Sequence, residues 1–180
     1  MIIRVAVAQD VPAVAAIYAH EVAHGTATFD TSPPLDQTWA DKVIDTAPGH
    51  HLLVADDAGV VLGFAYSVAY RPRGAYAATK ETSVYLADAG RGRGLGRALY
   101  AELLRRLQLD GVHTAIAVIA SPNPASVALH RASGFECVGV LREVGFKFGR
   151  RIDTEFWQLI VQPAAPGSSG LAQGAPASER

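Results

Sequence analysis

The stretch "RGRGLG" at 91–96 joins the strand-like "SVYLAD" to the helix-like "RALYAELLRRLQLDG". No other segment narrows the possible folds as far. Leu95, Leu99, Leu103 and Leu107 recur every fourth residue, so one helix face is apolar and has to be covered. Gly92, Gly94 and Gly96 let backbone N–H groups approach a ligand closely. The helix turns its positive end back on the loop, and Arg91, Arg93 and Arg97 add full charges. A phosphate-bearing cofactor is the expected ligand.

The flanking sequence supplies the remaining elements. "IIRVAVA" (2–8) reads as a first strand. Asp10 stands where it would cap a helix with Pro12 in its first turn, and Val11, Val14, Ala15, Tyr18 and Val22 share one face of that helix. "HGTATFDTSPP" (24–34) is a loop, and a second helix is expected from Asp36 to Asp45. Strands are expected at 51–56, 59–70 and 75–88, with "DDAG" as a hairpin turn between the first two. Gly111 ends the leucine-rich helix. "HTAIAVIA" (113–120) is a buried strand, and "SPNPASVALHRASGF" (121–135) a turn and short helix closed by Gly134. "ECVGVLREVG" and "DTEFWQLIV" are final strands. This order predicts a mixed α/β fold, with helices covering a partly antiparallel sheet.

A chain of 180 residues suits one domain, expected over 1–162. The Pro/Gly/Ala/Ser-rich tail at 163–180 cannot bury enough apolar surface to fold and is expected to be flexible. Lys+Arg number 16 against 17 Asp+Glu, so no basic field would recruit nucleic acid. No apolar run approaches the roughly 20 residues that span a bilayer, and "MIIRVAVAQD" lacks a signal-peptide layout. The expectation is a cytoplasmic protein without membrane attachment. Cys137 is the single cysteine and is expected to be a buried small apolar residue. His50 and His51 lack a third ligand, so no metal site is expected. There is no G-x-S-x-G nucleophile elbow.

Four readings of the loop compete. A Rossmann fingerprint needs G-x-G-x-x-G after a first strand, whereas this loop is mid-chain and Leu99 stands where the next glycine would fall. A P-loop needs G-K-[ST], which "GLGRAL" lacks. A flexible turn with solubilising arginines needs no ligand at all. The fourth reading is R-x-x-G-x-G, met by Arg91, Gly94 and Gly96. In the context of a preceding strand, a following amphipathic helix and a later Asn123-led helix ending in "GF", it resembles the pyrophosphate loop of the GCN5-related N-acetyltransferase (GNAT) superfamily. "ATFD", "RPRGAY", "KETSVYL", "AVIASPNPASVALHRASGF" and "LREVGFKFGRRIDTEFWQL" are similar to the phosphinothricin and methionine sulfone–sulfoximine N-acetyltransferase subfamily.

The resemblance implies a GNAT fold whose twisted, partly antiparallel sheet has splayed central strands that bind acetyl-CoA. It carries cofactor contacts to Val84, Tyr85 and Leu86, to Arg91, Gly92, Arg93, Gly94, Leu95, Gly96 and Arg97, and to Asn123 and Ser126. Glu81, on the strand expected to line the cleft, matches the catalytic glutamate that would take the amine proton. His130 would protonate the departing sulfur or relay a proton; as a lone helical histidine it equally suits a structural contact. Arg71, Arg73, Tyr76, Lys80 and Thr82 would bind the acceptor around its α-carboxylate, and Phe29 would wall its side-chain pocket. "KFGRR" (147–151) is read as surface or dimer-interface chemistry. The implied activity is acetyl transfer to a small amino-acid analogue, by direct attack in a ternary complex within a homodimer. The alternatives are a related enzyme acting on peptide N-termini or another amine, and a non-catalytic acetyl-CoA sensor.

Overall fold

The computed structural model describes residues 1–161. The tail expected at 163–180 lies outside the described residues. The elements are β1 (Ile2–Val5), α1 (Val11–His24), α2 (Asp36–Ile44), β2 (His51–Asp57), β3 (Val60–Ala69), β4 (Thr79–Leu86), α3 (Leu95–Leu109), β5 (Thr114–Ser121), α4 (Pro124–Ala132), β6 (Glu136–Lys147) and β7 (Arg150–Ile160). The strands form one sheet in the order β1-β2-β3-β4-β5-β7-β6. Every neighbouring pair is antiparallel except β4–β5. The mixed, partly antiparallel sheet therefore forms as the sequence predicts. No helix among the described residues is long and apolar enough to cross a membrane.

Both sheet faces are covered because strand residues alternate sides. On β2, Leu53 and Ala55 turn to one face while Leu52 and Val54 turn to the other, and all four are buried. The first face receives α3, whose Leu95, Leu99, Leu103 and Leu107 are fully buried against Ala115, Ala117 and Trp157. Each such leucine contributes about 1.5–3 kcal/mol by leaving water. The second face receives α1 and α2 through Val14, Tyr18 and Trp39, which pack on Val54 and Phe64. Here the aromatics form a continuous cluster, with Trp39 edge-on to Tyr18 and Phe64 at 5.0 and 5.2 Å between ring centres. Ala58 and Gly59 adopt positive φ in the β2–β3 hairpin, as "DDAG" predicts.

Several local expectations are corrected. The first strand ends at Val5, and residues 75–78 lie in a turn ahead of β4. Asp10 precedes α1 but donates no cap to it. Its carboxylate instead accepts the Val7 N–H at 2.8 Å and the two terminal Arg4 guanidinium nitrogens at 2.6 and 2.8 Å. The two-pronged, charge-assisted contact outcompetes a single helix amide. Cys137 is exposed, because β6 is the sheet edge and none of the described residues covers its outer side. Lys147 is buried despite belonging to the basic "KFGRR" cluster; its Nζ donates to the Thr28 carbonyl at 2.8 Å.

The Arg4 hydrogen bonds hold the Asp10 carboxyl below its ordinary value, against the opposing effect of burial. A depressed carboxylate pKa stabilises the fold above the unfolded value of about 3.9 and loses that contribution as pH falls through the folded pKa. Asp10→Asn is expected to lower stability at neutral pH by about 1–3 kcal/mol. It should also flatten the acid limb of a urea-midpoint series taken from neutral pH downwards. An acid limb identical to that of the unaltered chain would contradict the assignment.

Candidate active site

The parallel pair β4–β5 is short. Register holds at Thr79↔Thr114, Lys80↔Ala115 and Glu81↔Ile116 and then stops. Beyond that point β4 stays on β3 as far as Leu86↔Gly63, and β5 stays on β7 as far as Ser121↔Asp153. The two strands part like a V. The Ala87 N–H donates to the Leu62 carbonyl at 3.0 Å, towards β3. Alternation then turns the Ser83 and Tyr85 amides to β3 and the Val84 and Leu86 amides into the gap.

The gap opens into a cleft of about 480 Å³ bordered by Val84, Tyr85, Leu86, Val118, Ile119 and Ala120. At its outer end stand Arg91, Gly92, Gly94, Leu95, Gly96 and Arg97. Gly92 and Gly94 adopt φ of 72° and 76°, the left-handed region that favours glycine. This bends the loop so that α3 starts at Leu95, with its first amides lacking intrahelical partners. An unpaired strand edge, free helix-start amides and two arginines at the rim suit a cofactor with amides along its arm and phosphates at its end. Asn123 and Ser126 line the same cleft, and Asn123 also caps α4 through the Ser126 N–H at 3.0 Å. Arg93 does not line the cleft: it turns to Asp57 on the β2 end, 2.8 Å away.

His130 is buried at the floor of the cleft. Its Nδ1 lies 2.7 Å from the Ser126 carbonyl, which accepts only, so Nδ1 carries the proton. Nε2 then accepts from the Tyr100 hydroxyl at 2.7 Å. With its own proton on His130, Tyr100 accepts from the Thr82 hydroxyl at 3.0 Å, and Thr82 shares that proton with the Ile116 carbonyl at 3.2 Å. Burial lowers the His130 pKa, against the Ser126 hydrogen bond, so the ring is neutral near pH 7. With both nitrogens engaged, the geometry favours packing over a proton-donor role. Thr82, expected to bind the acceptor, is instead a member of this buried network.

A second cavity, of about 220 Å³, lies on the α1/α2 face of the sheet. It is lined by Glu81, Tyr66, Thr28, Phe29, Thr154 and Tyr18, and shares Ser83, Tyr85, Val118 and Ala120 with the cleft. Glu81 is half-buried; burial raises its pKa and the Arg71 guanidinium pulls it down. Register sets Tyr66 opposite Ser83 and Phe64 opposite Tyr85. Burial pushes both tyrosine hydroxyls up, so they remain protonated donors.

Sequence reasoning expected cations around this cavity, but none of its lining residues is a cation. Arg71, Arg73 and Tyr76 sit on the exposed loop before β4, where Arg71 lies over Tyr70 at 5.0 Å and Tyr76 meets the same ring edge-on. Arg71 lowers the Glu81 pKa through its charge. Lys80 alternates with Glu81 and therefore points to the opposite face, where it is buried beside Gly49 and Val112. Tyr18, Tyr66, Ser83, Thr154 and Lys147 were not anticipated. The one available signal was the i, i+2 spacing of Phe64 and Tyr66, which sets Tyr66 on the same face as Glu81. Among the described residues, no group of His, Cys, Asp or Glu is arranged to hold a metal ion.

With the geometry established, comparison with known proteins gives the lineage. Residues 3–156 match the family profile Acetyltransferase (GNAT) domain. A phosphinothricin N-acetyltransferase from Alcaligenes faecalis is 46% identical over 175 residues, covering 95% of this chain and 86% of the relative. An L-methionine sulfoximine/L-methionine sulfone acetyltransferase from Pseudomonas aeruginosa is 42% identical, covering 89% and 95% respectively. The crystal structure of a GNAT superfamily phosphinothricin acetyltransferase from Sinorhizobium meliloti in complex with AcCoA superposes with a TM-score of 0.84 at 39% identity, over 92% of this chain and 94% of that one.

Tyr100→Phe removes the hydroxyl that joins Thr82 to His130 while keeping the ring. The buried His130 Nε2 is then left without a donor, at a cost of about 1–3 kcal/mol. Chemical denaturation is expected to show that loss, and an unchanged midpoint would dissolve the network.

Proposed function

Because the chain belongs to the GNAT family and is an acetyl-CoA-dependent N-acetyltransferase, we propose that it acetylates the α-amino group of a small amino-acid analogue of phosphinothricin or methionine sulfone–sulfoximine type. The observation that carries this reading is the junction of the two cavities at Ser83, Tyr85, Val118 and Ala120, with Glu81 at the wall of the smaller one. Bound acetyl-CoA supplies the thioester that accepts the amine. The Val84 and Leu86 backbone groups hold its amide-bearing arm, and Arg91, Arg97 and the amides from Gly92 to Arg97 hold its pyrophosphate. Glu81 takes the first proton from the acceptor ammonium, directly or through water; the neutral amine then attacks the thioester carbonyl in a ternary complex, the C–N bond forms as the C–S bond breaks, and the proton left on nitrogen passes to the departing CoA thiolate. Tyr66, Tyr85 and Ser83 supply hydroxyls around the acceptor, and Arg71 and Arg73 draw its carboxylate to the mouth. A cavity of about 220 Å³, below the roughly 300–1,000 Å³ of drug-sized sites, favours a free amino acid over a peptide N-terminus. A pure sensor has no use for a half-buried carboxylate in the wall of the smaller cavity.

We further infer a homodimer formed through β6. This edge strand and its turn expose Val138, Val140, Leu141, Val144, Phe146 and Phe148. A long apolar edge left bare is an association surface. The accompanying cellular reading is clearance of toxic amino-acid analogues in the cytoplasm, with herbicide resistance as a by-product.

Free-thiol release from acetyl-CoA, with methionine sulfone, methionine sulfoximine, phosphinothricin and a peptide panel as acceptors, tests the activity. Glu81→Gln is expected to lose about 10²-fold or more in kcat/KM; an undiminished rate would remove Glu81 from the mechanism, and turnover confined to peptides would overturn the acceptor class. The reactive form of Glu81 is the carboxylate, so activity should fall as pH drops through a pKa above the ordinary value of about 4.3. Arg71→Ala removes the opposing field and should move that limb to higher pH. Separately, sedimentation is expected to give a dimer that Val140→Lys with Phe146→Lys converts to monomer, whereas a monomeric unaltered chain would end the dimer reading.

A further inference from the structure

One wall of the acceptor cavity is the loop between α1 and α2, through Thr26, Ala27, Thr28 and Phe29. This loop is fastened at successive residues. The Ala27 N–H donates to Glu21 Oε1 at 3.0 Å. The Thr28 hydroxyl lies 2.6 Å from the Tyr18 hydroxyl, which also donates to Asp30 at 2.8 Å. The Thr28 carbonyl accepts from the buried Lys147 ammonium of β6 at 2.8 Å. Thr28 is thus held from α1 on one side and from β6 on the other. Phe29 follows directly, so its backbone has little freedom to shift.

The Phe29 ring, 37% exposed, rests on β6. It lies against Gly145, where a Cβ would overlap two of the ring carbons and crowd a third. Gly145 does not owe its identity to backbone conformation, since its φ is not positive. Its partner across β7 is Ile152, and the register slips between Leu141 and Gly145, a bulge that brings β6 to this height under the ring. Neither residue carries reactive chemistry. A phenyl ring is large beside a cavity of about 220 Å³, so its position decides how much room remains.

We propose that Phe29 and Gly145 form a length gauge for the acceptor side chain, Gly145 allowing the ring to lie back on β6 and Phe29 closing the far end of the cavity. These are specificity-determining positions, not catalytic ones, and the proposal rests on the small-acceptor reading above. Any side chain at 145 drives the ring forward and shortens the cavity. Loss of the ring lengthens it.

The test uses the full chain with acetyl-CoA and acceptors of graded length: alanine, methionine sulfone, ethionine sulfone and phenylalanine, together with the peptide panel. Gly145→Ala is expected to cut kcat/KM for methionine sulfone relative to alanine by about tenfold or more, in the range that one or two methylene groups command in an apolar pocket. KM for acetyl-CoA should not move. Phe29→Ala should raise the relative rate on ethionine sulfone and phenylalanine, and in that background Gly145→Ala should have no further effect. A crystal structure of Gly145→Ala is expected to show the ring advanced into the cavity. Equal scaling of all acceptors, additive effects of the two substitutions, or a ring swung out to solvent would each overturn the gauge. If Gly145→Ala does not fold, Phe29→Ala and Phe29→Leu carry the ranking alone. Wild-type turnover confined to peptides would sink the acceptor class, whereas ring position and non-additivity, read on those peptides, would still decide the gauge.

Discussion

The parting of β4 from β5 after the Glu81↔Ile116 pair is the constraint on which the rest of the molecule hangs. A sheet normally satisfies every strand edge, and a gap inside one has to be held open. Here the crotch of the V is occupied by side chains. Thr82 Oγ1 takes the Ile116 carbonyl at the point where backbone pairing ends, and Tyr100 of α3 and His130 of α4 complete the chain of hydrogen bonds below it. The helices covering this face therefore do more than bury leucines. They deliver two aromatic side chains that extend the hydrogen-bond chain from the Thr82 hydroxyl of β4 to the Ser126 carbonyl of α4.

The same split divides the alternating residues of β4 between two tasks. Val84 and Leu86 pack towards α3, and their amides face the gap, whereas Glu81, Ser83 and Tyr85 face α1 and α2 and line the smaller cavity. One short strand thus touches both cavities without a loop between them. A one-residue slip against β3 would exchange the faces and bury Glu81 beneath α3, so the register Val68↔Glu81 is as necessary to the site as the carboxylate itself.

The legible part of the molecule was local. The leucine spacing of α3, the glycines of 91–96 and the Asn123-led helix are each contained in one short segment, and the structure keeps all three. The residues expected on the cofactor side all line one cleft, Arg93 excepted, whose Asp57 partner sits far away in sequence. The smaller cavity draws residues from α1, its following loop, β3, β4, β5 and β7. No periodicity joins Tyr66 to Thr154 or Lys147 to Thr28. The misreadings share this cause: Lys147 looked like surface charge until β6 met the 25–30 loop, and Cys137 looked buried until its strand proved to be the last in the sheet. Lys80 and Thr82 flank Glu81 in sequence, yet alternation sends them to the other side.

The V-shaped gap has a consequence for how such a chain changes over time. What its open edge presents is peptide groups, which every amino acid carries, whereas the smaller cavity is shaped by side chains. Substitutions that keep β4 a strand are thus nearly silent for its open edge and audible in the smaller cavity. A lineage built this way can drift from one acceptor to the next in small steps while its hold on the shared donor stays constant.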